Sequence, residues 1–257
     1  MQSEIAALGR RVLDALQYTG AGVLFLARLL VRLPLVFKSF RLTVEQMLAI
    51  GVQSMPLVIF TSIFTGMVSS IQASYQMADR VPMIYLGSGV CKAVVIELGP
   101  VITALVVGGR VGAGIADELG TMRVTEQIDA LETLAIDPLR YLALPRFVAG
   151  VVMLPVLVIF ADFVALLGGW AVAVLVIRIS SHTYTEGLRL FFYSRDVWGG
   201  IIKALFFGAI IATMGCFQGF RAEGGAEGVG RATTRSVVAS SMLVLIFDYV
   251  VASWIFR

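Results

Sequence analysis

The sequence predicts an all-α integral membrane protein: an N-terminal elbow helix in the interface, then five transmembrane helices, with a short cytoplasmic helix between the second and third. Three observations predict it. Of 257 residues, 58% are hydrophobic and 14% charged, with a mean hydropathy of +0.90, whereas a soluble domain is about half apolar and about a quarter charged. The Leu, Val, Ile, Ala and Gly collect in long, nearly charge-free runs, each near the roughly 20 residues a helix needs to cross a bilayer. The charges lie mostly in the polar segments between those runs. The whole chain, 1–257, is expected to form one transmembrane domain.

Residues 1–42 carry Arg10, Arg11, Arg28, Arg32, Lys38 and Arg41 around the apolar stretch AGVLFLARLLVRLPLVF. Arg28 and Arg32 interrupt that stretch and Pro34 would bend it, so it reads as a basic amphipathic elbow lying in the interface. The alternative is a spanning helix with two arginines in hydrocarbon, a costly placement. There is no small-residue cleavage site after a short apolar core, so the first true span is expected to direct insertion.

The first span is 44–71 and the second 86–109, joined by the polar link QASYQMADRVP. Residues 110–146 hold Arg110, Asp117, Glu118, Arg123, Glu126, Asp129, Glu132, Asp137, Arg140 and Arg146, too many charges for a span, and are expected to be a cytoplasmic loop. Within it, Val124, Ile128, Leu131 and Leu134 fall at helical spacing, with Thr121 or Thr125 placed to cap the helix. Glu126, Asp129 and Glu132 would form an acidic face, and Asp137-Pro138 would end the helix. Either a soluble partner docks on this face or it is a solvated connector. Three further spans follow at 147–177, 201–220 and 237–256, separated by polar stretches 178–200 and 221–236.

Five spans put the termini on opposite faces. The six basic residues of the elbow, Arg110, Arg123, Arg140 and Arg146 of the long loop, and Arg221, Arg231 and Arg235 lie on the N-terminal side. Arg80, Lys92, Arg178, Arg189, Arg195, Lys203 and Arg257 lie on the other. The excess predicts a cytoplasmic N-terminus and a C-terminus on the opposite side.

The net charge of +3 and pI near 9.0 come from basic residues scattered between apolar runs, not gathered in a patch. Anionic lipid headgroups, not nucleic acid, are the expected counter-charge. Cys91 and Cys216 lie in apolar stretches without metal-ligand spacing, and the lone His182 stands in a polar stretch without a catalytic motif, so neither a metal nor a nucleophile is indicated. No G-x-x-x-x-G-K-[ST] loop occurs, so the chain is expected to be a transport subunit without its own nucleotide site, not an enzyme. Gly108-x-x-x-Gly112 and Gly215-x-x-x-Gly219 have the spacing that lets helices approach closely, though 26 glycines also produce that spacing by chance.

Three acids fall inside apolar runs: Glu97, Asp162 and Asp248. A charge at the membrane centre costs about 3 kcal/mol on insertion scales, so each must face the protein interior, a wet cavity or the interface. Glu97 precedes Gly99 and Pro100, and that proline frees the carbonyl of Ile96, placing a backbone distortion beside a charge. Glu97 is read either as a contact for a polar headgroup or as a helix-to-helix hydrogen bond; Asp162 and Asp248 are read first as packing residues.

The segments ELGPV (97–101), GGRVGAGIADELGTMRVTEQIDAL (108–131), DP (137–138), PR (145–146) and GGAEGVGRATTRSVVASS (224–241), with Asp248, closely resemble the MlaE-type ABC permease family. The resemblance extends over essentially everything after the first span. It implies a homodimeric permease of the bacterial inner membrane that moves glycerophospholipids between inner and outer membranes. A cytoplasmic ABC ATPase that binds ATP and a periplasmic MCE-domain protein would be partners, with a STAS-domain subunit in some systems and no cofactor on this chain. It implies that the helix around 121–134 is the coupling helix, with Glu118, Thr121, Arg123, Glu126, Gln127 and Asp129 toward the ATPase. Glu97, Leu98 and Pro100 would line the lipid cavity between protomers. On this reading, exchange of Glu97 for Lys is expected to impair transport with assembly intact. The alternatives are a secondary carrier using the intramembrane carboxylate, a lipid-modifying enzyme and a scaffold without transport. Five spans do not divide into the equal inverted halves many carriers use.

Overall fold

The computed structural model describes residues 2–77 and 81–255, and among these every regular element is helical. Arg80 and Arg257 of the charge comparison lie outside the described residues. The α-helices are α1 (Gln2–Arg32), α2 (Phe40–Ile50), α3 (Met55–Met77), α4 (Leu86–Ala93), α5 (Gly99–Val107), α6 (Ala113–Val124), α7 (Gln127–Thr133), α8 (Leu144–Leu175), α9 (Ser181–Leu190), α10 (Ser194–Phe220) and α11 (Gly225–Ile255). Stretches of π-helix, Val94–Leu98, Gly108–Gly112 and Leu139–Ala143, join α4 to α5, α5 to α6 and lead into α8.

Among the described residues six helical stretches are long and apolar enough to cross a membrane, the first being Leu16–Val36. That first stretch behaves unlike the others. Gln218 hydrogen-bonds Tyr18, the Phe25 ring meets Phe217 and Phe220, and Arg32 Nε donates to Asp137 Oδ2 at 2.7 Å. From Tyr18 to Arg32 the helix advances about 21 Å at 1.5 Å per residue. Its partners include the end of α10, the segment before α8 and α8 itself, and Tyr18 shares a cleft with Arg235 and Val238 of α11.

The remaining helices are held at short range by small residues. A Cβ on Gly66 of α3 would lie 1.7 Å from the carbonyl oxygen of Ala165 on α8, and one on Gly208 of α10 would lie 2.3 Å from that of Gly150. Gly215 and Gly219 pack α10 on Ile115 and Leu119 of α6, while Gly112 lies against Ile211 and Ser236. Both spaced glycine pairs therefore serve helix contacts. With lipid outside, such close packing and interhelical hydrogen bonds are the main attraction between helices. Ser236 adds one, donating to the Gly112 carbonyl at 2.9 Å.

The polar segments depart from expectation. Residues 225–236 are not a loop but the first turns of α11, whose 31 residues span about 46 Å, well beyond a hydrocarbon core of about 30 Å. They are helical because Val229, Ala232, Ser236 and Ser240 form one buried face. The stretch 178–200 likewise contains α9 and the first turn of α10. The segment 110–146 is largely helical too: α6 continues the second span outward, and α7 follows after a sharp break. The single helix expected over 121–134 is interrupted because Glu126 takes a left-handed conformation, φ 59°. Neither threonine caps α7. Thr125 Oγ1 instead donates to the Thr121 carbonyl at 2.7 Å, and the capping position is Glu126, with no side-chain cap.

Candidate functional site

The segment VVIEL, residues 94–98, is π-helical, and the sequence explains why. Pro100 has no N–H to offer the carbonyl of Ile96, so one turn widens instead of closing normally. The widened turn carries Glu97, whose side chain is 46% exposed. Leu98 beside it is half-buried, whereas Pro100 is buried with its ring facing Gly200 of α10. Glu97 and Leu98 thus share an accessible segment, and Pro100 shapes it from behind.

Glu97 is not alone. Lys203 of α10 is completely buried and donates from Nζ to Glu97 Oε2 at 2.5 Å; Asp248 Oδ1 of α11 lies 2.8 Å from the same Nζ. A single ammonium therefore ties three helices together. An intramembrane lysine without a partner would be expensive, and two carboxylates here surround it. The formal balance of the cluster is one negative charge in excess when all three groups are ionised. One turn along α10, Phe206 stacks on Phe247 of α11, ring centroids 6.4 Å apart, and both rings are partly exposed. The half-exposed carboxylate is thus fixed by a buried cation, with a partly exposed aromatic pair one turn away.

Two sequence readings change here. Lys203, counted above toward topology as a basic residue near the start of the 201–220 span, is a buried member of the cluster. Asp248 belongs to the same ionic cluster as Glu97. Exchange of Glu97 for Lys would set a second ammonium against Lys203, so that substitution tests folding as well as transport. Asp162 lies apart from this cluster: its Oδ1 has no hydrogen-bond partner among the described residues and abuts Gly99, where a Cβ would come within 1.7 Å.

The second group of expected residues lies at the other end of the same helices. From Lys203 to Arg221, α10 and its cap advance about 27 Å at 1.5 Å per residue, nearly the hydrocarbon thickness. There, Arg123 pairs with Asp129 across the α6–α7 break, and Gln127 Nε2 donates to Thr125 Oγ1 at 3.0 Å. Ile128 is buried beneath α7, which anchors it, while Thr121, Glu126, Gln127, Asp129 and Glu132 face out. Leu134, expected on the apolar face, is exposed. Glu118 is held by the buried Arg146, whose Nη2 donates at 2.7 Å and whose Nη1 donates to the Leu142 carbonyl. Asp137, bonded to Arg32, also accepts from the Leu139 N–H at 3.0 Å. These contacts make a braced platform that presents a short acidic helix.

The family described as Permease MlaE matches residues 43–254. A probable ABC transporter permease protein of Rickettsia bellii is 39% identical over 98% of this chain and 97% of its own length. The intermembrane phospholipid transport system permease protein MlaE of Haemophilus influenzae is 36% identical over the same shares. The Arabidopsis thaliana chloroplastic protein TRIGALACTOSYLDIACYLGLYCEROL 1 is 35% identical over 85% of this chain and 62% of its own length.

Proposed function

The chain belongs to the MlaE permease family, and from that premise we propose that this ABC permease moves glycerophospholipid between the inner and outer membranes of a diderm bacterium. It works as a homodimer in the inner membrane, with a cytoplasmic ATPase supplying the energy and a periplasmic MCE-domain protein, in some systems joined by a STAS-domain subunit. The N-terminus is cytoplasmic and the C-terminus periplasmic. The chain is one permease domain, with α1 as an interfacial elbow and five spans.

The observation that carries the reading is the Glu97–Lys203–Asp248 cluster, with Glu97 half-exposed and the Phe206–Phe247 pair one turn away. A lipid chamber needs mostly apolar walls and a few fixed polar groups. Lys203 holds Glu97 in place, and its half-exposed carboxylate can accept a hydrogen bond from a headgroup hydroxyl or ammonium. Leu98 and the Phe206–Phe247 pair offer acyl contacts beside it. At the far end, α7 with Glu126, Gln127 and Asp129 is the coupling helix that meets the ATPase. An ABC permease draws on ATP, which leaves the secondary-carrier alternative without support.

The test is mass spectrometry of the gently solubilised complex, combined with lipid transfer between vesicles. Co-purification of an ATPase chain with two copies of the permease and bound phospholipid is expected. Exchange of Glu97 for Gln keeps the shape and lowers transfer several-fold while the complex stays intact. Normal transfer by that variant removes Glu97 from the site, and a permease purified with no ATPase removes the assembly.

A further inference from the structure

At the α6–α7 end, far from Glu97, a cavity of about 650 Å³ opens between α1, α6, α10 and α11. It is lined by Arg123, Arg221, Arg231 and Arg235 against one acid, Glu223. Arg123 is paired with Asp129, and Arg231 with Glu227 at 3.4 Å. Among the described residues neither Arg221 nor Arg235 is paired with a carboxylate. Arg221 is positioned by rings instead: its guanidinium carbon lies 5.1 Å from the Phe217 centroid and 5.6 Å from that of Tyr18, a cation–π arrangement that leaves its N–H donors available. A surplus of arginine forks over acids suits a phosphate.

Three clefts share lining residues with this cavity; one is walled by Glu227, Gly230 and Thr234 beside Arg231 and Arg235, and two are mostly apolar. Of these two, one, of about 270 Å³, shares Phe220 and Arg221 with it and is lined by Leu24, Phe25, Arg28 and Phe217. The other, of about 460 Å³, shares Tyr18 and Arg235 and runs past Val238, Ala239 and Met242. A polar chamber with two apolar arms matches an anion bearing two hydrocarbon chains, and not a small soluble anion, which has no use for the arms. Basic pockets between membrane helices are a recognised way of holding anionic headgroups.

We propose that this cavity binds an anionic glycerophospholipid from the leaflet at the α6–α7 end, its phosphate on Arg221 and Arg235 and its acyl chains in the two clefts. The site is separate from Glu97 and lies near the opposite membrane surface. The proposal concerns binding alone, so it stands or falls independently of the transport reading.

The probes are phosphatidylglycerol, diacylglycerol and inorganic phosphate, added separately to the full-length chain in detergent and followed by native mass spectrometry. Phosphatidylglycerol is expected to be retained, and the Arg221→Gln, Arg235→Gln double variant to lose retention about tenfold, with diacylglycerol not retained and phosphate displacing the lipid only at large molar excess. Unchanged retention in the variant, equal retention of diacylglycerol, or displacement by equimolar phosphate would each overturn it, the last by assigning the site to a soluble anion. A second measurement needs no variant. A photoactivatable phosphatidylglycerol in phosphatidylcholine nanodiscs should label peptides holding Leu24 and Phe25 or Val238 and Met242. Labelling confined to the Glu97 end, or none because a second copy or an acidic partner segment fills the clefts, refutes the site while leaving the transport reading intact.

Discussion

Replacing Lys203 with Met isolates the ionic cluster. The change removes a fully buried ammonium that lies 2.5 Å from Glu97 and 2.8 Å from Asp248 and leaves two carboxylates facing each other. At an effective dielectric of about 20, each contact is worth roughly 6 kcal/mol of attraction before desolvation is subtracted. Deleting one member of such a buried group costs about 3–5 kcal/mol net, because the partners stay behind uncompensated. For a chain of this size that lowers the unfolding midpoint by on the order of 10 °C. The assay is thermal unfolding of the purified full-length chain in detergent, followed by loss of the monodisperse peak. Adding Glu97→Gln and Asp248→Asn to Lys203→Met removes the stranded charges and should recover most of the loss, since neutral replacement of a whole buried ion cluster is often tolerated. A drop below about 2 °C for the single variant, or no recovery in the triple, would refute the view that these groups act as one unit.

Three other outcomes are expected. Glu126→Gly suits the left-handed φ of 59°, so it should leave thermal stability unchanged or raise it by up to about 1 kcal/mol, yet lower lipid-stimulated ATP hydrolysis of the complex by removing an exposed acid from α7. Equal ATPase stimulation would argue that Glu126 makes no contact with the ATPase. Gly208→Leu drives a side chain into the Gly150 carbonyl and should cost at least about 3 kcal/mol, seen as poor recovery of monodisperse protein; normal recovery would mean that α8 and α10 do not approach as described. Tyr184 is buried with a hydroxyl that has no hydrogen-bond partner, and burial pushes its phenol well above the ordinary value. Tyr184→Phe should therefore leave stability unchanged or raise it by about 1 kcal/mol, and a fall of that size in a thermal melt would contradict the orphaned hydroxyl.

Which parts of this were legible in the sequence depends on how local the signal is. The apolar runs reveal the membrane-embedded helices because bilayer thickness sets their length. Glu97 stands out because a carboxylate beside Gly99-Pro100 is anomalous in such a run. Lys203 does not, since a lysine near the edge of an apolar run also suits a side chain reaching for the headgroups; only the approach of α10 to α5 and α11 makes it a buried counter-ion. The start of α11 was readable in principle, because Val229, Ala232, Ser236 and Ser240 recur at helical spacing. The glycines and arginines between them suggest a loop, and packing against α6 and α10 overrides that suggestion. The break at Glu126 carried no signal at all, since glutamate has no preference of its own for the positive φ it adopts there.

The two ends of the molecule are joined by a helix that is not uniform. From Leu86 to Val124 the chain is helical throughout, yet π-helical stretches interrupt it at Val94–Leu98 and Gly108–Gly112. Wide turns of this kind are common at functional sites, where the extra residue re-aims neighbouring side chains. The first holds Glu97. The second lies midway to the α6–α7 platform, and its Arg110 donates to Ser54 Oγ at 2.7 Å and Gln53 Oε1 at 2.8 Å, just where α2 gives way to α3. A push on α7 would enter α6 through the buried Ile128 and the Arg123–Asp129 pair. A regular helix would carry that push as a rigid rod, whereas a π-turn can convert it into a change of register. If an ATPase drives this permease, the displacement should therefore appear first at Gly108–Gly112 and reach Glu97 as rotation about α5. The Lys203 ammonium, pinned between α5 and α11, is the contact that such a rotation must stretch.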